Sequence, residues 1–424
     1  MSTFATQQQL ANSATNKNVV HTIATHSSAD HQKTGNGLWN MRRDHSVSLQ
    51  ESTDVFNVNP YSVAPTSALQ GGSGTSFTDF VLPANCGEIR NLVPNYTLFN
   101  SGSQTWVPEC PIMPFCWTRI QLWQEGHQLG QDLLPLSLWK YYGYTNSLND
   151  MIQLQARSSI DATTYALHSG NSISAGASKT FSIDIAPLLF ICQARLVIKY
   201  CKPITIRFYH ESVSVIAPTN TNSANSGIQL SNFNLQITHR LYDNATESNI
   251  ATQYKGNVDG RCLQQIVEYG SVVASSGVNV QYNTNQFNNA VCPLVDVCFR
   301  SQTPTGANIC SFYPITQMYA TDMNNVSLQN SLQPTHSDYL DVFYPQAFED
   351  NVFTKASNIN IYPLIVGSTR IKETLKHSRA LGYKVLPNRS ILNITMPSSA
   401  TYQIVISAWV YAHVRVQAGS VQIY

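Results

Sequence analysis

Charge is what this sequence lacks most. Its 424 residues include 25 lysines and arginines and 24 aspartates and glutamates, 12% charged in all, for a formal net charge of +1. Soluble domains usually carry about a quarter. A balance this thin excludes a long charge-laced helical protein, and it excludes holding a polyanion through the average field. Paired cysteines are missing as well. The nine cysteines are odd in number and none forms a Cys-x-x-Cys pair. Cys192, Cys201, Cys292 and Cys298 lie inside apolar runs, which predicts buried reduced thiols from a reducing compartment rather than a disulfide framework. No uninterrupted apolar run reaches the ~18 residues of a membrane helix. The opening MSTFATQQQLANSATNK has no basic region followed by an apolar one. Neither a spanning helix nor a secretory signal is therefore expected, and any membrane would lie beside a soluble protein.

The common catalytic signatures are absent too. There is no GxxxxGK[ST] phosphate cradle, no GxSxG elbow and no HExxH pair. The GNG at 35–37 lacks the third glycine of a dinucleotide turn. His210 and Glu211 are adjacent at a predicted strand end, so their side chains point to opposite faces and are expected to be exposed loop-edge residues. His336 and Asp338 would share a strand face if that segment is extended, with Asp341 near, which would allow acid–base or metal chemistry. Three residues in a loop do not establish such a site. Cys292, Cys298 and Cys310 lack zinc-knuckle spacing, and packing explains them. No catalytic, cofactor-binding or metal-ligating residue is assigned, and no cofactor is expected.

What is present is period-two hydrophobicity, with Asn, Gln, Ser and Thr supplying solubility. Phe181 to Ala217 shows the pattern best. Phe181, Ile183 and Ile185 alternate with polar residues, then an apolar Pro-punctuated connection follows. Ile204, Ile206 and Phe208 next face one way while Thr205, Arg207 and Tyr209 face the other. The unit recurs at the end of the chain, in Ser390 to Met396 and Tyr402 to Val416. Further strands are predicted at Phe80–Leu82, Asn91–Phe99 with a kink at Pro94, and Cys116–Trp123. In the last of these Trp117, Arg119, Gln121 and Trp123 should oppose Ile120 and Leu122. Beyond residue 227 strands are predicted at Ile228–Ile237, Cys262–Val273, Val278–Tyr282, Val291–Phe299, Ile309–Tyr319 and Ile359–Val366. Leu133–Tyr144 reads as a packed loop or a short helix. Ser147–Arg157 reads as a helix, and Ile371–Ala380 as a helical turn.

Residues 1–50 are polar and hold four of the eleven histidines (His21, His26, His31 and His45), which predicts an N-terminal arm that orders against a partner. It is not basic enough for a nucleic-acid arm. The small polar stretch Pro218–Gly227 predicts a linker. The expected architecture is all-β: the arm (1–50), a first sandwich (51–217), the linker (218–227) and a second sandwich (228–424), with long loops and short helices. Met323–Thr354 is irregular but too aromatic for a loose loop. Arg370, Lys372, Lys376, Arg379 and Lys384 form the one basic cluster, best read as a solvated turn. Five Asn-X-Ser/Thr sequons, at Asn95, Asn244, Asn325, Asn388 and Asn393, are expected to be unmodified.

Two segments bring a family into view. SKTFSIDIAPLLFICQARLVIKYCKPITIRFYHE (Ser178–Glu211) resembles the close of the first jelly roll in double jelly-roll major capsid proteins of double-stranded DNA viruses, of the polinton-like virus, virophage and adintovirus-like lineage. FVLPANCGEIRNLVPNYTLFN (Phe80–Asn100) is similar to that family's early strands. The likeness of pattern extends over most of residues 50–424. It implies two tandem jelly rolls and a homotrimer in which six jelly rolls make a pseudo-hexagonal capsomer tiling an icosahedral shell. It also implies neighbouring capsomers and minor capsid, penton or cement proteins as partners, with an internal membrane as a further candidate and no specific nucleic-acid binding. The protein would reside in the virion after synthesis in the host cytoplasm or nucleus. The alternative is a two-sandwich carbohydrate- or receptor-binding module, such as a spike or lectin. A glycan hydrolase comes third, since Asp338, Asp341, Glu349 and Asp350 are the only dense acidic group.

Overall fold

The computed structural model describes residues 52–58, 76–242, 244–284, 291–292, 294–322, 324, 326, 360–366, 384–385 and 390–424. The first half is built from β1 (Ser52–Val58), β2 (Phe77–Val81), β3 (Glu88–Asn100), β4 (Trp117–Gln124), β5 (His127–Leu133), β6 (Ser178–Ser182), β7 (Ile204–His210) and β8 (Ile228–Leu241). These strands form two four-stranded sheets, ordered β1-β8-β3-β6 and β2-β7-β4-β5, with every pair antiparallel. First strand beside last and second beside next-to-last is the double Greek key of a jelly roll. The alternation read from the sequence sets the faces: Ile204, Ile206 and Phe208 of β7 are buried, and Thr205, Arg207 and Tyr209 are half-buried. Pro94 lies within β3, paired with Leu235 of β8, while β6 pairs with β3 only from Asn95 onward. Its missing N–H therefore breaks no ladder bond to β6. Glu125 and Gly126, both at positive φ, turn β4 into β5 in the manner of a two-residue hairpin.

Between β5 and β6 come two helices, α1 (Pro135–Thr145) and α2 (Leu148–Ser158). Pro135 at the first position suits α1, where its absent N–H is not missed. At the start of α2, Ser147 and Asp150 make a reciprocal capping box. A third helix, α3 (Asn244–Tyr254), leads from β8 into the second half.

The second half contains β9 (Asn257–Ala274), β10 (Asn279–Asn283), β11 (Val291–Cys292), β12 (Leu294–Arg300), β13 (Gln317–Thr321), β14 (Ile361–Val366), β15 (Lys384–Val385), β16 (Ile391–Thr395), β17 (Ala400–Gln417) and β18 (Ser420–Ile423). In one sheet β17 pairs with β9 along its whole length. Its other edge takes β12 and then β18, and β14 lies beyond β12. The facing sheet runs β10-β16-β13. Matched in chain order, β9, β17, β12 and β14 repeat β1, β8, β3 and β6, and β10, β16 and β13 repeat β2, β7 and β4. Over these seven strands the two sandwiches share one topology.

Several expectations are corrected. Residues 218–227 do not join the sandwiches. They link β7 to β8, and Ser101 N donates to Gly227 O at 2.8 Å. Because β8 pairs with both β1 and β3, the first sandwich extends to Leu241 rather than closing at 217. A loop between two strands of one sandwich has the same small polar composition as a linker between sandwiches. In β4 a register shift between Trp117 and Arg119 turns Trp117 into the core beside Ile120 and Leu122. The strand predicted at Ile309–Tyr319 begins only at Gln317, after a 3-10 turn at Gly306–Cys310. Leu133–Tyr144 resolves as the helix α1. The arm, most of the section 323–354 and the turn 371–380 lie outside the described residues.

Candidate assembly surfaces

The contact between the sandwiches explains α1. Every residue from Leu136 to Thr145 is buried, because the helix lies between the first core and the second half. Trp139 packs against Tyr165 at 4.7 Å and Phe312 at 5.6 Å, and Tyr141 approaches Trp409 at 6.4 Å. Along β12 and β17 successive side chains alternate between two cores. Leu294, Cys298, Val405 and Trp409 join the first half's core, while Val295, Val297, Phe299, Ile404, Ile406 and Ala408 fill the second sandwich. The β12–β17 centre of this sheet is therefore covered on both faces.

Within that contact Lys140 of α1 pairs with Asp296 of β12, both side chains at 0% exposure. Its ammonium also donates to Ser407 Oγ at 2.8 Å. Burial pulls the Lys140 pKa down, but the Asp296 carboxylate outweighs it and holds the ammonium above the ordinary lysine value. Two further polar ties join the halves. The Gln193 carboxamide accepts from Leu263 N at 2.6 Å and donates to Leu263 O at 3.1 Å, standing in for a neighbouring strand at the edge of β9. Gln124 Nε2 donates to Lys202 O and Gly419 O, and its Oε1 accepts from Val421 N at 2.8 Å. Those bonds anchor the β17–β18 hairpin, whose Ala418 and Gly419 both have positive φ.

The helix α3 is tied to the first sandwich as well. Lys199 lies 2.6 Å from Glu247, Tyr200 donates to the same carboxylate, and Val197 N donates to Tyr254 Oη at 2.8 Å. Buried Glu88 accepts from Tyr242 and lies 3.7 Å from Arg195 and 3.9 Å from Arg240.

The candidate site residues fall as follows. His210 is not an exposed loop-edge residue: it is 1% exposed. Its Nε2 lies 2.7 Å from Thr78 Oγ1 and its Nδ1 2.9 Å from Tyr96 Oη. A neutral imidazole meets both hydroxyls, and burial pushes its pKa down to about 4. The bulge that turned Trp117 inward also places His210 opposite it. Glu211 is half-buried and accepts from Ser212 N. His336, Asp338, Asp341, Glu349 and Asp350 lie outside the described residues, as do Arg370, Lys372, Lys376 and Arg379 of the basic cluster; Lys384 falls in β15. Among the described residues no group of three or more His, Cys, Asp and Glu could hold a metal ion, and no helix is long and apolar enough to cross a membrane. All nine cysteines are free thiols, and six are buried. Sequence reasoning missed Lys140 and Asp296. Their signal was a single charge inside each of two apolar runs, SLWKYYGY and PLVDVCF.

Two outward faces of the first sandwich differ in kind. On the β2-β7-β4-β5 sheet Arg207 makes a two-point pair with Asp79, at 2.7 and 2.8 Å. It stacks over Phe77 at 4.1 Å and Trp123 at 5.2 Å, and Arg119 lies 4.2 Å over Tyr209. The β1-β8-β3-β6 sheet instead presents half-exposed Val93, Asn95 and Thr97 of β3 beside Asn234, Gln236 and Thr238 of β8. Asn95 donates to Asn234 at 2.9 Å.

No protein-family model and no curated protein matches the sequence. Solved structures do match. The chain is similar to the PBCV-1 protein VP54, in a structure fitted into a reconstruction of the virophage Sputnik. The identity is 11% and the TM-score 0.65, over 89% of this chain and 98% of that one. It is similar to a chain of the PBCV-1 virus capsid at 12% identity and a TM-score of 0.62, again over 89% and 98%. It is also similar to the Faustovirus major capsid protein, at 9% identity and a TM-score of 0.58 over 89% and 94%. At these identities the likeness is one of fold. The chain is all-β, two tandem jelly-roll sandwiches with short helices.

Proposed function

We propose that this chain is a major capsid protein. Copies associate as trimers, six jelly rolls to a pseudo-hexagonal block, and the blocks tile an icosahedral shell. The observation that carries the reading is coverage. The fold shared with the Faustovirus major capsid protein takes in 89% of this chain and 94% of that one, so it includes both sandwiches and their junction. A single jelly roll serves many functions, whereas two of one topology locked by a buried interface make a building block. Partners on this reading are further copies, then minor capsid, penton or cement proteins and an internal membrane, with the mature location in the virion. The chain acts by assembly and performs no catalysis.

The carbohydrate-binding alternative gains nothing from the aromatic face. Arg207 and Arg119 already lie over Phe77, Trp123 and Tyr209, whose rings a sugar would need. The test is sedimentation and electron microscopy of the purified full chain. Trimers and closed or sheet-like particles are expected. A chain that stays monomeric at tens of micromolar and is retained on a glycan array would overturn the proposal.

A further inference from the structure

The longest strand edge of the second sandwich needs a cover. β9 pairs with β17 along one side, and among the described residues no strand pairs with its other side. A bare edge is a template for adding foreign strands. At Leu263 the Gln193 carboxamide takes the place of a strand and bonds both the N–H and the C=O. In an antiparallel ladder, residues two apart present their main-chain groups to the same side. Gln265 therefore turns its own N–H and C=O to this edge.

Beside Gln265 lies a cavity of about 30 Å³ between the two halves of the chain. Leu263 and Gln265 of β9 form one wall, and Asp132 of β5, Ser137 of α1 and Leu189 belong to the other. Gln121 and Gln128 donate to Asp132 Oδ1 at 2.9 and 2.6 Å, which fixes the carboxylate on that wall. Among the described residues, both polar atoms of the Gln265 carboxamide are buried without a hydrogen-bond partner. So is Nε1 of Trp409, which stands opposite Gln265 in the β9–β17 register. Side chains paired in this way are neighbours on one face, so three polar atoms crowd one spot. Each such atom left unpaired lowers the folding equilibrium about tenfold or more. Water needs about 10–15 Å³ of such space per molecule, so the cavity takes about two.

We infer that this cavity is a hydration site whose ordered waters bind the Gln265 carboxamide and bridge β9 to the Ser137 hydroxyl and Asp132 carboxylate of the first half. The chemistry of the walls selects the ligand. A carboxamide offers donors and an acceptor, a hydroxyl offers both and a carboxylate accepts, and water alone is small enough to answer all three in this space. The waters continue along the β9 edge what Gln193 begins at Leu263, so the edge is satisfied without a further strand. The site goes beyond the capsid reading and does not depend on it.

The experiment is crystallography of the full chain at a resolution that shows waters. Water density within hydrogen-bond reach of the Gln265 carboxamide is expected. Xenon pressure on the same crystals is the control, because xenon enters dry apolar cavities and should stay out of a wet one. A site without water density, or one that xenon occupies, overturns the inference. Gln265→Met, with a side chain of equal length, should lose at least one of the waters in the same kind of crystal. Waters kept unchanged in that variant overturn the role assigned to Gln265. The oligomeric state of the wild-type chain bears on the capsid reading alone.

Discussion

Replacing one partner of the Lys140–Asp296 pair should unfold the junction between the sandwiches, and replacing both should restore it. Each side chain is at 0% exposure, so neither lone charge can reach water. Breaking a buried pair from one side costs about 3–5 kcal/mol. Lys140→Met also removes the hydrogen bond that the ammonium donates to the Ser407 hydroxyl, adding about 1 kcal/mol. Asp296→Leu leaves the ammonium buried without its carboxylate. For sandwiches of this size, each kcal/mol moves the midpoint by about 2–4 °C, so either single change should lower it on the order of 10 °C. The double variant Lys140→Met/Asp296→Leu fills the same volume with apolar atoms and should fall within about 1 kcal/mol of wild type or above it. The assay is urea unfolding of the full chain followed by tryptophan fluorescence, since Trp139 and Trp409 both lie at this contact. Single variants costing less than about 1 kcal/mol would show that the pair is not sealed from water. A double variant as unstable as the worse single one would show that shape, not charge, is what Lys140 and Asp296 supply.

Acid should act through His210. Its pKa is lowered to about 4, so the folded state refuses a proton that the unfolded chain accepts below its ordinary value of 6.5. Stability is complete above about pH 6.5 and falls as pH drops toward 4, by roughly 3 kcal/mol for this group. His210→Gln keeps hydrogen bonding to Thr78 and Tyr96 and should remove that part of the acid slope; unchanged slopes in pH-dependent unfolding would refute the assignment. Glycine substitutions should separate crowding from backbone strain. A Cβ on Gly87 would come 2.1 Å from the Arg240 carbonyl oxygen, so Gly87→Ala should cost about 3 kcal/mol or more. Gly126→Ala, with open space but a φ of +81°, should cost only about 1 kcal/mol. Equal midpoints for the two variants in thermal unfolding would contradict this packing.

Period-two alternation made most of the described strands visible, because a sheet with one face on a core repeats its burial every second residue. It misled at β4, where the bulge after Trp117 shifts the phase by one residue and no composition signal marks the shift. It was silent at the junction. Strands β12 and β17 are buried on both faces, so their residues read as continuous apolar runs, and nothing in such a run says which half of the chain covers which face. The polar stretch 218–227 was legible as a loop but not as a loop within a sandwich, since strand pairing across β8 is non-local. His210 and Glu211 looked like an exposed strand-end pair because alternation assigns faces but not depth; two aromatic rings of the core, Tyr96 and Phe233, lie against the imidazole.

The low charge follows from the same geometry. A jelly roll has two outer faces, and in the second sandwich the centre of one of them packs against the first half of the chain, where the Lys140–Asp296 pair is buried. In the first sandwich the corresponding face carries amides where the second carries Trp409 and Val405. A face buried within every chain from the moment of folding tolerates wholly apolar residues. A face that stays in water cannot, because exposed apolar sheet promotes indiscriminate pairing. The half-exposed Asn95, Thr97, Asn234, Gln236 and Thr238 keep that face hydrated without charge, and they account for part of the Asn, Gln and Thr content that first set this sequence apart.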